Sequence, residues 1–103
     1  MPKISKNKLD QKTYDNVLKR LTATLTLLRT DQEVLELIDS LFTRTERLML
    51  AKRLAIAVFL ERGMSYAEIS KLLKVSSVTI SFVRNNIMKE RPAYSALIKA
   101  IKI

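Results

Sequence analysis

A four-residue pattern occurs three times in this chain: Thr30-Asp31-Gln32-Glu33, Thr43-Arg44-Thr45-Glu46 and Ser65-Tyr66-Ala67-Glu68. A Ser or Thr hydroxyl accepts a backbone N–H that the first turn of a helix leaves free. A Glu three residues later returns the bond to the capping residue's own N–H. Each pattern stands before a run of apolar residues at helical spacing, so each predicts a helix start. Gly63 is placed to end the helix that Thr43 opens, as a Gly just past a helix commonly does. Pro92 suits the first turn of a last helix, to which Tyr94, Leu97, Ile98 and Ile101 give one apolar face. One Gly and two Pro in 103 residues leave little turn chemistry for hairpins. The expected fold class is therefore all-α.

Ahead of the first cap, from Thr13, Tyr14, Val17, Leu18, Leu21, Leu25 and Leu28 recur every three or four residues as one apolar stripe. The second helix offers Val34, Leu35, Leu37, Ile38 and Leu41 for burial and closes at Phe42. In the third, running to about Arg62, Leu48, Met49, Leu50, Leu54, Ile56, Val58, Phe59 and Leu60 join Ala51, Ala55 and Ala57 around nearly the whole circumference. That helix should be covered on most sides, and a chain this short, 48% of it hydrophobic, has little to cover it with. A homodimer is expected, with the first two helices of one subunit packed against the third of the other.

The stretch from Ser65 to Asn86 organises the rest. It reads as a helix to Leu73, a turn at Lys74-Val75-Ser76, and a second helix from Ser77 to about Met88. Ile69, Leu72 and Leu73 share one face of the first helix, Val75 packs the corner, and Val78, Ile80, Val83 and Ile87 supply the buried side of the second. Ser77, Thr79, Ser81 and Asn85, small and polar, are left outside together with Arg84. Such a face can lie close to base edges and phosphates. The run from Glu68 to Ser81 resembles a bacterial helix-turn-helix, whose second helix enters the major groove. Ser70 stands where such motifs usually carry Ala. Lys74 stands where they carry Gly, at a turn position where positive φ costs a side chain strain.

Charge placement agrees. Residues 1–20 carry a net +4, residues 21–63 are balanced, and residues 64–103 carry +5, for a total of +9. The excess lies on a basic arm, residues 1–12, expected to be flexible, and on the helix-turn-helix with its tail; residues 13–103 read as a single all-helical domain. A polyanionic partner accounts for that division. The sequence has no Cys and no His, which excludes disulfides, thiolate sites and His-based acid–base pairs. The apolar run Leu54–Leu60 is too short to span a bilayer. Met1–Asp10 lacks the apolar segment of a signal peptide, so a cytoplasmic protein is expected.

From about Thr30 onward the chain resembles the Trp-repressor-like family of bacterial helix-turn-helix DNA-binding proteins. Leu41-Phe42-Thr43 with Glu46, the basic-apolar helix holding Arg53, the run Arg62-Gly63-Met64-Ser65, and Val78-Thr79-Ile80-Ser81 carry the resemblance. It implies a six-helix chain, an intertwined homodimer and two reading heads on successive major-groove faces. In tryptophan-responsive members a Thr, two Arg and a Gly hold the amino acid. Thr43 and Arg53 match two of these positions and form the candidate effector pocket, but Phe82 replaces the second Arg and Val83 the Gly. Phe82 cannot pair with a carboxylate, and Val83 crowds the space for an indole ring. The resemblance therefore points to a Trp-repressor-related member: no cofactor is expected, tryptophan is disfavoured, and another small effector stays open. Thr43 also reads as an N-cap, and Arg53 as a surface or dimer charge.

The function expected is that of a sequence-specific DNA-binding regulator, a repressor by operator occupancy. Its partner is double-stranded DNA. Ser77, Val78, Thr79 and Ser81 face the bases, Phe82 either joins them by touching a thymine methyl or simply packs, and Lys71, Lys74, Ser76 and Arg84 meet phosphates. The alternative is a helical dimer acting as a protein-interaction module with only non-specific nucleic-acid binding. An enzyme is not expected, because Glu33, Glu46 and Glu68 are explained as caps and no nucleophile–base set remains.

Overall fold

The computed structural model describes residues 9–88 and 92–102. Its helices are α1 (Gln11–Leu25), α2 (Asp31–Leu41), α3 (Arg44–Glu61), α4 (Tyr66–Leu73), α5 (Ser77–Val83), continued by a π-helical turn Arg84–Met88, and α6 (Pro92–Ala100). There is no strand among the described residues, and the all-α expectation holds. Residues 1–8 of the expected basic arm lie outside the described residues. The chain divides into two compact units, Met1–Leu41 and Phe42–Ile103.

In the first unit α1 begins two residues before the expected Thr13, because Asp10 caps it: its carboxylate accepts the Thr13 N–H at 2.7 Å. The expected cap of α2 is present, with Glu33 N–H to Thr30 Oγ1 and Thr30 N–H to Glu33 Oε1 both at 3.1 Å. Burial departs from expectation. No residue of α1 or α2 is buried, and the stripe Tyr14, Val17, Leu18, Leu21 and Leu25 is exposed, as are Val34, Leu35 and Leu41. Leu37 and Ile38 are half-buried. Within one chain these two helices offer too little surface to cover both stripes.

The second unit is built on α3. Thr43 and Glu46 close its capping box, with Thr43 N–H to Glu46 Oε1 at 2.8 Å and Glu46 N–H to Thr43 Oγ1 at 3.2 Å. At its other end Gly63 N–H bonds the Leu60 carbonyl and Met64 N–H the Phe59 carbonyl, both at 3.0 Å, the paired bonds of a Schellman stop. Gly63 sits at φ +83, which a side chain would resist. The core is one cluster: Ile56, Ala57 and Val58 of α3, Ile69 of α4, Ile80 and Val83 of α5, and Ile98 of α6. Burying each of the larger side chains contributes roughly 1.5–3 kcal/mol. Val75 packs against this cluster, as expected of the corner residue.

The front half of α3 behaves otherwise. Leu48, Met49, Leu50 and Leu54 are exposed in the chain, so only the back half meets the expectation of a helix covered on most sides. Leu72, Val78 and Leu97, expected on buried faces, are also exposed. In each case another residue of the same helix (Ile69, Ile80 or Ile98) takes the core position. The side chains of Ile87 and Tyr94 lie outside the described residues.

The turn of the helix-turn-helix carries the predicted strain and a compensation for it. Lys74 adopts the left-handed conformation, φ 56 and ψ 54. The Ser70 carbonyl accepts N–H bonds from Lys74 and from Val75, the latter at 3.3 Å. The Ser70 hydroxyl donates to the Val75 carbonyl at 2.6 Å, a bond that Ala cannot make. The two departures from the usual motif are thus linked, since the Ser latches the turn that the Lys strains. Replacing Ser70 by Ala should lower unfolding stability by about 1 kcal/mol. Lys74→Gly should raise it by about 0.5–1 kcal/mol, strain relief less the greater freedom of unfolded Gly. Urea midpoints at constant slope will read both.

The capping acids tie stability to pH. Hydrogen bonds from the backbone and side chain of Thr13, Thr43 and Ser65 hold Asp10, Glu46 and Glu68, respectively, below their ordinary carboxylate values. A pKa depressed on folding contributes stability that is complete above the unfolded value and lost as pH falls through the folded one. Melting temperature should therefore drop from about pH 5 to about pH 3, and the drop should be shallower in a Glu46→Gln, Glu68→Gln variant.

Candidate nucleic-acid interface

The helix-turn-helix is assembled from the caps outward. Ser65 and Glu68 set the start of α4 through Glu68 N–H to Ser65 Oγ at 3.1 Å and Ser65 N–H to Glu68 Oε1 at 3.2 Å. Ser76 then caps α5, its hydroxyl oxygen accepting the Thr79 N–H at 3.3 Å. Ile80 and Val83, wholly buried, fix which way α5 faces.

The candidate base-facing residues all lie on α5, and their exposure differs. Ser77 is exposed, Val78 is 76% exposed and Phe82 43%, while Thr79 and Ser81 are half-buried. Thr79 Oγ1 lies 3.3 Å from Ser76 Oγ, so its hydroxyl already has a partner. Of the candidate phosphate contacts, Lys71, Lys74, Ser76 and Arg84 are all exposed. They come from the end of α4, the turn, and the residue just after α5.

Two contacts were not legible in the sequence. The Tyr66 hydroxyl is held below the usual phenol range by hydrogen bonds with Arg84 and Ser81. It sets the start of α4 beside the end of α5. These partners are 15 or more positions away, and no local pattern signals the pairing. The second contact runs from α3: the Arg53 guanidinium lies over the Phe82 ring, 4.9 Å from its centroid. A cation over an aromatic face contributes roughly 0.5–2 kcal/mol. Arg53 is thus engaged with the chain's own α5. Arg53 Nε is buried without a hydrogen-bond partner. Thr43, the other candidate effector residue, caps α3, and ten helical residues place Arg53 about 15 Å further along the axis.

Among the described residues no three His, Cys, Asp or Glu come together as metal ligands. No described helix is long and apolar enough to cross a membrane.

Residues 16–102 match the family model described as Trp repressor protein. The match reaches further toward the N-terminus than the resemblance read from Thr30, taking in most of α1. No curated protein and no solved structure matches the chain. Proteins of this family are non-enzymatic helix-turn-helix regulators of transcription that bind DNA. An all-helical chain with a capped, correctly buried helix-turn-helix, matched over residues 16–102, belongs to the Trp repressor family.

Proposed function

We propose that the protein is a homodimeric, sequence-specific repressor that lays the segment Ser77–Met88 in the major groove of its operator. Val78 carries this reading. A β-branched apolar side chain that is 76% exposed in the first turn of α5, among hydroxyls and next to cations, has no packing role in the chain. Against a duplex it meets a thymine methyl. Ser77, Thr79, Ser81 and Phe82 face the neighbouring base edges; Lys71, Lys74, Ser76 and Arg84 set the register on phosphates. Because hydroxyls dominate this surface, bridging water and DNA shape share in the discrimination.

The exposed stripes support the dimer. Tyr14, Val17, Leu18 and Leu21 on α1 and Leu48, Leu50 and Leu54 on α3 are apolar areas that a second subunit would cover. In a two-fold assembly the heads stand about 34 Å apart and favour a near-palindromic site. The same apolar surface favours the second reading, a protein-interaction module with loose nucleic-acid binding. Phe82, seated on Arg53, holds α5 against α3 with the chain's own ring, which supports DNA binding that does not require tryptophan.

Fluorescence anisotropy on duplexes from the protein's own upstream region and on shuffled controls tests the reading. A preference of about 10³ for one fragment is expected, unchanged by millimolar L-tryptophan. Thr79→Ala with Arg84→Ala should abolish that preference while leaving the melting temperature within a few degrees; weak binding equal on all fragments would favour the interaction module. In sedimentation at micromolar concentration a dimer is expected, and a monomer would overturn the intertwined arrangement.

A further inference from the structure

Beside the start of α5 lies a recess of about 250 Å³ in which α3 meets residues of the helix-turn-helix. Lys52 and Arg53 of α3 line it on one side and Lys74, Ser76 and Thr79 on the other, with Met49 and Val75 as its apolar lining. Three cations from two elements converge there, and no carboxylate is among the lining residues. The Lys52 ammonium bonds the Lys74 carbonyl at 3.4 Å. That long bond uses one of its three donors. Arg53 Nε is buried and unpartnered, and a buried donor without an acceptor marks an unfilled requirement. At roughly 30 Å³ per water, the recess has room for a tetrahedral anion and its hydration.

We propose that this recess seats a backbone phosphate of the bound duplex, with Lys52 as its principal ligand, so that α3 takes part in DNA binding directly. The inference rests on the DNA-binding reading above and adds to it a residue outside the helix-turn-helix. Lys52 and Lys74 carry the phosphate charge, the hydrogen-bonded Ser76–Thr79 hydroxyl pair has one proton left to donate, and the apolar lining keeps the local dielectric low, which strengthens the attraction. The contact is to the backbone, so it adds affinity without reading sequence.

The test is the salt dependence of duplex binding for wild type, Lys52→Gln, Lys52→Arg and, as a control for loss of one charge elsewhere, Lys99→Gln on α6. Circular dichroism melts confirm that each variant is folded. Lys52→Gln should weaken binding about 3- to 10-fold at about 0.1 M salt, equally on cognate and shuffled duplexes, and reduce the slope of log K against log salt by about 0.9. Lys52→Arg should restore the slope. A Lys52→Gln slope equal to that of wild type would overturn the proposal while leaving specific binding intact, whereas a wild-type protein that binds no duplex would overturn the DNA-binding reading and this one with it. Inorganic phosphate titrated at constant ionic strength should leave the backbone NMR signals of Lys52, Arg53 and Thr79 unmoved. Saturable shifts there, lost in Lys52→Gln and accompanied by an unaltered duplex slope, would assign the recess to a free phosphate compound instead.

Discussion

The direction in which α5 faces depends on one packed cluster. Ile69, Ile80 and Val83 are buried together with Ile56 and Val58, and that packing aims the exposed side of α5 away from α3. The side chains are branched and nearly inextensible, so the aim is set by shape as well as by apolar area. Around them the arrangement is completed by polar devices of modest individual strength: two capping boxes, a Schellman stop, the Ser70 latch and the Arg62 guanidinium donating to the Ile101 carbonyl at 2.5 Å. The Lys99–Glu61 ion pair at 3.5 Å is largely solvated and adds little.

The features of the fold that were legible in the sequence are those determined locally. A hydroxyl and a Glu three positions apart interact within one turn, so Thr30, Thr43 and Ser65 located three helices without reference to anything distant. Lys74 announced its left-handed backbone because a helix-turn-helix turn requires it there. Burial was less legible, because periodicity marks an apolar face without saying what covers it. Val34, Leu48, Leu72 and Val78 all lie on such faces, and all are exposed in the chain. The candidate site followed the same division. Its candidate residues were proposed from composition and spacing, whereas Tyr66 on Arg84 and Arg53 on Phe82 depend on how α3, α4 and α5 meet.

In the function proposed above, stability and binding make opposed demands at Lys74. A Gly would suit its backbone better, yet a Gly would remove an exposed cation from the turn. The Ser70 hydroxyl eases the conflict by holding the turn closed from within α4, and Ser is small enough to do so without forcing the two helices apart. Strain of this kind is common where a chain has a task besides folding.

The π-helical turn Arg84–Met88 makes the segment after Val83 wider than the α-helix before it. Each residue accommodated in excess of the α-helical repeat turns the residues beyond it by roughly 100° relative to the preceding wheel. Asn85 and Asn86 therefore do not continue the azimuth of Ser77 and Ser81, and Asn86 Nδ2 folds back onto the Phe82 carbonyl at 3.0 Å. The segment thus presents two differently directed exposed faces, one before and one after the π-helical turn, instead of one continuous stripe.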